Sequence, residues 1–292
     1  MSKSLQFRTP ISASCSTSPM PISFHSHQEY EIYYFHTGRC SYIIGDQIYE
    51  LAPGDLILMN GMVLHSPKAD PTTLYKRTTV HFHPQYAAKL LGLGFRLPLL
   101  RPFENLKNTR LSLSKDEQAI IEPLLGRMCA LCRQPDDPWA HDLLLATFLT
   151  LLTEMYRFTR QPSRPGGPDM SIKQQNVQRM IAYLEEHYPE ELTLEQISAH
   201  MRLNKYHLSK IFKEVTGSTL FDYLYQRRIN QAKVLFTLNP ERPVTEVAYE
   251  TGFKYPSHFS RYFKAFTGIG PDAYRKAIRD PKAGSSLTGQ LQ

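Results

Sequence analysis

Three histidines and a glutamate in the first quarter of the chain have the types and spacing to hold a ligand. They form the run His25-x-His27-x3-Glu31-x6-Gly38, with His65 following a later hairpin signal. Positions 25, 27 and 31 share parity, so in an extended segment their side chains point to one face. Three imidazoles and a carboxylate suit a divalent metal. The same groups suit a polar lining that hydrogen-bonds a small organic molecule, or histidines at a pocket mouth with no ligand at all. Tyr33 and Phe35 share the parity of Glu31 and would supply either an aromatic wall or plain core.

A second constellation lies in the last third and occurs twice, 51 residues apart. The first copy reads His207-Leu-Ser-Lys-Ile-Phe-Lys, then Thr216-Gly217 and Tyr223; the second reads His258-Phe-Ser-Arg-Tyr-Phe-Lys, then Thr267-Gly268 and Tyr274. Leu208, Ile211, Phe212 and Val215 recur at helical spacing and should be core, as should Phe259, Tyr262, Phe263 and Phe266. Tyr206, Ser209, Lys210 and Lys213 face outward in one copy, and Ser257, Ser260, Arg261 and Lys264 in the other, with no acid on either face. Gly217 and Gly268 close the helices. A shorter helix precedes each copy, the first opened by the capping box Thr193-Leu-Glu-Gln196 and the second by Pro243-Val244. A short helix, a tight turn and a basic-faced helix make a helix-turn-helix, whose second helix enters the major groove. Ile197 to Leu208 is one residue shorter than Val247 to Phe259, so the two turns should differ.

The charge balance agrees. Formal net charge is +7, and from Asn204 to Arg279 there are thirteen Lys/Arg against six Asp/Glu, an excess equal to the whole surplus. That is the footprint of a polyanion binder. The four cysteines, Cys15, Cys40, Cys129 and Cys132, are sparse, which fits a reducing cytoplasm. Cys129 and Cys132 fall within a helical apolar pattern and read as core. No signal-peptide run opens the chain, and the apolar run Leu143–Leu152 is too short to span a bilayer. No nucleotide fingerprint, phosphate-cradling glycine loop or Ser/His/Asp order is present, so neither a cofactor nor catalysis is expected.

These residues need elements to position them. Strands are predicted at Glu31–Phe35, Ser41–Ile44, Gln47–Leu51, Leu56–Met59 and Leu74–Phe82, the first four separated by Gly-containing turns, giving an antiparallel barrel or sandwich. Helices follow from Ser114 to Arg133, with Ser114-x-x-Glu117 as capping box, and from Asp137 to Arg160. Ile120, Ile121, Leu124, Leu125, Met128 and Leu131 line the first. The second is apolar on several sides and must bury more than one face, which predicts a homodimer through these helices. Residues 161–170, rich in Pro and Gly, read as a linker. Ser171-x-x-Gln174 caps the next helix, and Phe221–Phe236 forms a helix joining the two motifs.

The tandem motif, the Phe221–Phe236 helix and the ending Thr267-Gly-Ile-Gly-Pro271-Asp-Ala-Tyr274-Arg275 closely resemble the AraC/XylS family of bacterial transcription regulators, over roughly Gln174 to Ile278. Asn204 departs from the usual Ser there, and Met201 and Arg202 from the usual small or apolar turn residues. The N-terminal part resembles the cupin fold, whose HxH, Glu and later His can chelate metal. Asn60 and Met62 depart from that pattern, and no Asn follows His65 at the usual spacing, so the metal set His25, His27, Glu31 and His65 is the weaker implication. The resemblance implies an α+β multidomain protein: a flexible, loose arm at 1–20, a cupin-like sensor barrel at 21–110, a helical dimerisation segment at 111–160, the linker, an AraC-type DNA-binding domain at 171–280 and a disordered tail at 281–292.

It further implies a sequence-specific regulator, in this reading an activator that also meets RNA polymerase, cytoplasmic and not at a membrane. The effector would be a sugar or related metabolite held by His25, His27, Glu31, Tyr33 and His65. Double-stranded promoter DNA would be met by Lys205, Tyr206, Ser209, Lys210, Lys213, Lys254, Ser257, His258, Arg261 and Lys264. By family pattern Tyr206, Ser209, Lys210, Ser257 and Arg261 lie near bases. Lys205, Lys213, Lys254 and Lys264 would contact phosphate. Arg261, with its planar fork, suits guanine O6 and N7. The competing readings are a metal-dependent cupin enzyme fused to a DNA-binding module, and an architectural DNA binder.

Overall fold

The computed structural model describes residues 10–18, 23–92, 94–104, 108–161 and 169–279. The chain falls into two compact units, one formed mainly by residues up to Met170 and the other mainly by residues from Ser171 onward, with Gly45–Gln47 grouped with the latter. Most of the predicted linker, the tail and the start of the arm lie outside the described residues.

The N-terminal unit contains, in order, β1 (Ile11–Ser16), β2 (Tyr30–Thr37), β3 (Cys40–Ile44), β4 (Gln47–Glu50), β5 (Asp55–Asn60), β6 (His65–Ala69), β7 (Lys76–Phe82), α1 (Pro84–Leu91), α2 (Arg101–Glu104), β8 (Thr109–Ser112), α3 (Lys115–Leu131) and α4 (Pro138–Thr159). One sheet runs β1-β7-β2-β5-β8 and a second runs β4-β3-β6. Among the described residues the two sheets do not close into one hydrogen-bonded barrel. The paired strands are antiparallel, as predicted.

Strand parity separates two cores. Ile32, Tyr34, Leu56, Leu58, Val80 and Phe82 pack with Ile121, Leu125, Phe148 and Leu152 of α3 and α4. Tyr33, Phe35, Ile57 and Met59 take the opposite face and pack with Tyr42, Ile44 and Tyr75. Helix ends follow local chemistry. The Ser114/Glu117 capping box forms on α3, and Asp137 caps α4 by accepting from the Trp139 N–H. Such caps are each worth about 1 kcal/mol.

Two expectations need correction here. The arm is not loose throughout: Ile11–Ser16 pairs with β7 from Ile11↔Phe82 to Ser16↔Arg77, and Ile11 is buried. The backbone finds its partners on the sheet edge, although the serine-rich sequence carries little apolar signal. Ile120 was placed in the core stripe of α3 but is 39% exposed.

The C-terminal unit is all helical among its described residues. It comprises α5 (Ile172–His187), α6 (Leu194–Met201), α7 (Lys205–Thr216), α8 (Leu220–Leu238), α9 (Val244–Glu250), α10 (Pro256–Thr267) and α11 (Pro271–Arg279). Capping boxes form at Ser171/Gln174 and Thr193/Gln196. No helix among the described residues is long and apolar enough to cross a membrane.

Candidate functional site

The pairs α6–α7 and α9–α10 are the two predicted helix-turn-helix motifs. The first turn uses three residues between its helices and the second uses five. Arg202 supplies the left-handed turn residue of the first at φ 54°, and Gly252 that of the second at φ 88°. Asn204 Oδ1 accepts from the Tyr206 N–H at 2.9 Å, so the departure from Ser keeps the cap. Tyr255, ahead of α10, offers no side-chain cap, and Pro256 starts that helix.

Each second helix buries one stripe and exposes the other. Leu208, Ile211, Phe212 and Val215 of α7 are buried, as are Phe259 and Phe263 of α10. Tyr206, at 77% exposure, lies with His207, Ser209, Lys210 and Lys213 on the open side of α7. Ser257, His258, Arg261 and Lys264 are exposed on α10, and Lys254 just ahead of it. Phe266, predicted inward, is 41% exposed: it lies in the last turn and stacks on Tyr262 at 6.1 Å. Ser260, predicted outward, is half-buried. Among the described residues Lys210, Lys213, Lys254, Arg261 and Lys264 form no ion pair, whereas Lys205 meets Glu195 at 3.4 Å. Glu214, also exposed on α7, pairs with Lys173 of α5 at 2.8 Å.

Helix α8 binds the two motifs to one another. On the first side the Tyr223 ring meets Phe212 at 5.9 Å. On the second, Tyr225 stacks on Tyr262 at 4.3 Å and lies 5.8 Å from Phe253. Buried Arg228 donates to the carbonyls of Tyr188 and Glu190, both at 2.7 Å, anchoring α8 to the loop before α6. The second motif rests on the same loop, since a Cβ at Gly252 would lie 2.7 Å from Pro189 O.

In the N-terminal unit the predicted histidines and glutamate do converge, by a different route from a single strand. His25 and His27 precede β2. The His25 and His65 backbones exchange two hydrogen bonds of 3.0 Å, and the His27 N–H donates to Gly61 O at 2.8 Å. Gly61 is there because nothing larger fits: a Cβ would lie 2.2 Å from His27 Nδ1. Glu31 is 3% exposed. Its Oε2 lies 3.0 Å from His27 Nε2, 3.2 Å from His81 Nε2 and 3.6 Å from His65 Nε2. His81 was not singled out from the sequence. It joins because the antiparallel register of β2 and β7 sets it directly opposite Glu31. Only the pairing register carries that signal; parity within Leu74–Phe82 alone does not.

Electrostatics follow from this packing. Burial pushes the His27 imidazole down, but the carboxylates of Glu29 and Glu31 outweigh it and raise its pKa to about 9. Burial also works to raise the Glu31 carboxyl, and the imidazoles of His81 and His27 hold it well below the usual range. Burial keeps His65 well below its ordinary value, and His25 is lowered for the same reason. Tyr33 is fully buried, and its hydroxyl is 2.7 Å from that of Tyr75. Together with Phe35 it is part of the packed inter-sheet core.

A tandem helix-turn-helix unit, joined in one chain to an antiparallel-sheet unit with a polar cluster, defines a ligand-responsive DNA-binding regulator. The comparisons agree. A family model described as an AraC-like ligand binding domain matches residues 21–143, and one described as a helix-turn-helix domain matches residues 197–277. The HTH-type transcriptional regulator YbfI of Bacillus subtilis (strain 168) is 30% identical over 247 residues, covering 80% of each chain. The melibiose operon regulatory protein of Escherichia coli (strain K12) is 29% identical over 100 residues, 34% of this chain and 33% of that one. Among solved structures, the DNA-binding domain of AdpA in complex with a target DNA is 29% identical, covers 36% of this chain and 93% of that one, and has a TM-score of 0.34. The chain belongs to the AraC family of transcription regulators.

Proposed function

We propose that this regulator is a cytoplasmic homodimer that activates transcription at promoters when its N-terminal unit binds a small organic effector, a sugar or related metabolite. Residues 21–110 sense, 111–160 dimerise, 161–170 link and 171–280 bind DNA. The observation that carries the DNA half is the pair of helices α7 and α10, on and beside whose open faces Lys210, Lys213, Lys254, Arg261 and Lys264 form no ion pair among the described residues, Lys205 alone of the basic set meeting an acid, Glu195. Lys205, Lys213, Lys254 and Lys264 contact phosphate; Tyr206, Ser209, Lys210, Ser257 and Arg261 lie nearer the bases, and His258 completes the DNA-facing set. Successive major grooves on one DNA face are about 34 Å apart, so one subunit reads two of them.

The sensing half rests on the convergence of His25, His27, Glu31 and His65, with Tyr33 on the same face of β2. The effector acts by binding one arrangement of the chain better than another, since equal affinity shifts nothing. Dimerisation through α3 and α4 is supported by Trp139, 84% exposed, by Ile120, and by half-buried Leu131, Leu145 and Leu149. RNA polymerase is the partner that activation requires.

Genome-wide occupancy of the tagged protein, grown on several carbon sources, tests this reading. Sharp peaks should share a motif with two half-elements about one helical turn apart, and transcription of adjacent genes should rise with occupancy. Broad occupancy without a motif would overturn it. Sedimentation at micromolar concentration should show a dimer, and a monomer alone would remove that part.

A further inference from the structure

We propose that the N-terminal unit holds a divalent transition-metal ion on His27, Glu31 and His81, with His65 as the adjacent fourth donor. Of these, His81 lies outside the spacing that singled out the others. The argument is one of lone pairs. Ring nitrogens whose partners are backbone carbonyls must carry the proton there. His65 Nδ1 donates to Val63 O at 2.7 Å, and His25 Nδ1 to Ser23 O at 3.0 Å. Both rings therefore present Nε2 as a bare lone pair. His27 Nδ1 lies 3.3 Å from Glu29 Oε2, the outer carboxylate that typically orients a metal-binding imidazole.

The inner nitrogens face a single oxygen. His65 is fully buried, its Nε2 has no hydrogen-bond partner, and it points toward Glu31 Oε2 at 3.6 Å. A bare nitrogen lone pair against a carboxylate oxygen, both shut away from water, is an arrangement that a cation resolves. The spacing fits one. Ligand atoms about 2.1 Å from a common ion lie roughly 3.0–3.4 Å apart at octahedral to tetrahedral angles. The His27 and His81 nitrogens lie 3.0 and 3.2 Å from Glu31 Oε2. Two compact donor groups result, His27–Glu31–His81 and His25–His27–His65, sharing His27. We assign the ion to the first because it includes the buried negative charge. Two imidazoles and a carboxylate favour zinc, nickel, iron or manganese over calcium or magnesium. The ion would replace the proton on His27 Nε2.

This inference does not depend on promoter activation, and one experiment separates the two. Untagged full-length protein is stripped with chelator, then dialysed separately against micromolar Zn(II), Ni(II) and Mn(II). Bound metal is measured by mass spectrometry, stability by thermal melting, and DNA binding on the same samples. The wild type should retain about one ion per chain with at least one metal and melt at a higher temperature when loaded. His81→Ala and the more conservative His81→Gln should each weaken retention at least tenfold while still melting cooperatively. Gly61→Ala, which crowds His27, should weaken it too. Substoichiometric metal in the wild type for all three ions would overturn the proposal. So would His81 variants that fold and load like wild type. DNA binding that persists in stripped protein leaves the regulator reading intact in either case.

Discussion

At the scale of single residues the two candidate sites make opposite demands. The proposed DNA-facing side chains must stay solvated, whereas Glu31 is buried and paired with His27. Arg261→Ala should cost about 1–3 kcal/mol of binding and relax sequence preference, while Lys264→Ala should weaken all sequences alike and reduce the salt slope by about one. Titrations of both variants on specific and scrambled DNA at several salt concentrations distinguish these roles. If both changed only the salt dependence, the base-contact assignment of Arg261 would fall. The His27–Glu31 pair has a defined pH window. The raised His27 value makes its contribution fully present below 6.5 and lost as pH rises through about 9. The lowered Glu31 value makes its contribution present above 4.5 and lost as pH falls further. In chelator-treated protein, the melting-temperature gap between wild type and Glu31→Gln should therefore be widest between those limits and narrow towards pH 9.5. A gap constant across that range would contradict the pairing.

Elements were legible in the sequence where their signals are local. All three capping boxes formed, and both recognition helices stop at their predicted glycines, Gly217 and Gly268. Three strands were missed for one physical reason. Ile11–Ser16, His65–Ala69 and Thr109–Ser112 are short and mostly polar, and are held by backbone pairing that leaves no clear alternation in side chains. Periodicity gives the phase of a helix but not how far its neighbours extend, which is why Ile120 and Phe266 fall on predicted core stripes yet stay partly exposed. His81 required a pairing register, a property of two strands together. The turns carry their own prediction. Gly252→Ala should destabilise the protein by more than about 1 kcal/mol, because it adds a left-handed alanine against Pro189 O. Arg202→Gly should stabilise it by about 0.5–1 kcal/mol by relieving the left-handed arginine. Denaturant midpoints of the two variants should move in opposite directions.

On the scale of the whole molecule, the C-terminal unit carries both proposed contact helices on one frame. Arg228, Tyr225 and the Gly252–Pro189 contact tie both motifs to the same loop and the same α8. Their separation is therefore a fixed ruler, with little freedom to accommodate altered spacing. Inserting about half a helical turn, roughly 5 base pairs, between the two half-elements should abolish specific binding, and a full turn should not restore it within one subunit. Gel-shift assays on spacer variants measure this directly. Retained affinity at half-turn spacing would mean that the two helices do not engage the DNA together.

The repeat is also imperfect. One motif turns in three residues on an arginine and the other in five on a glycine, and one helix offers Tyr206 and Lys210 where the other offers Ser257 and Arg261. A reader built from two unlike halves perceives a word with a beginning and an end, unlike one built from identical halves, which sees the same text from either side. A single subunit thus gives the DNA an arrow. Flipping its site end for end in a reporter, with nothing else changed, should present the protein to the neighbouring gene back to front and silence the response.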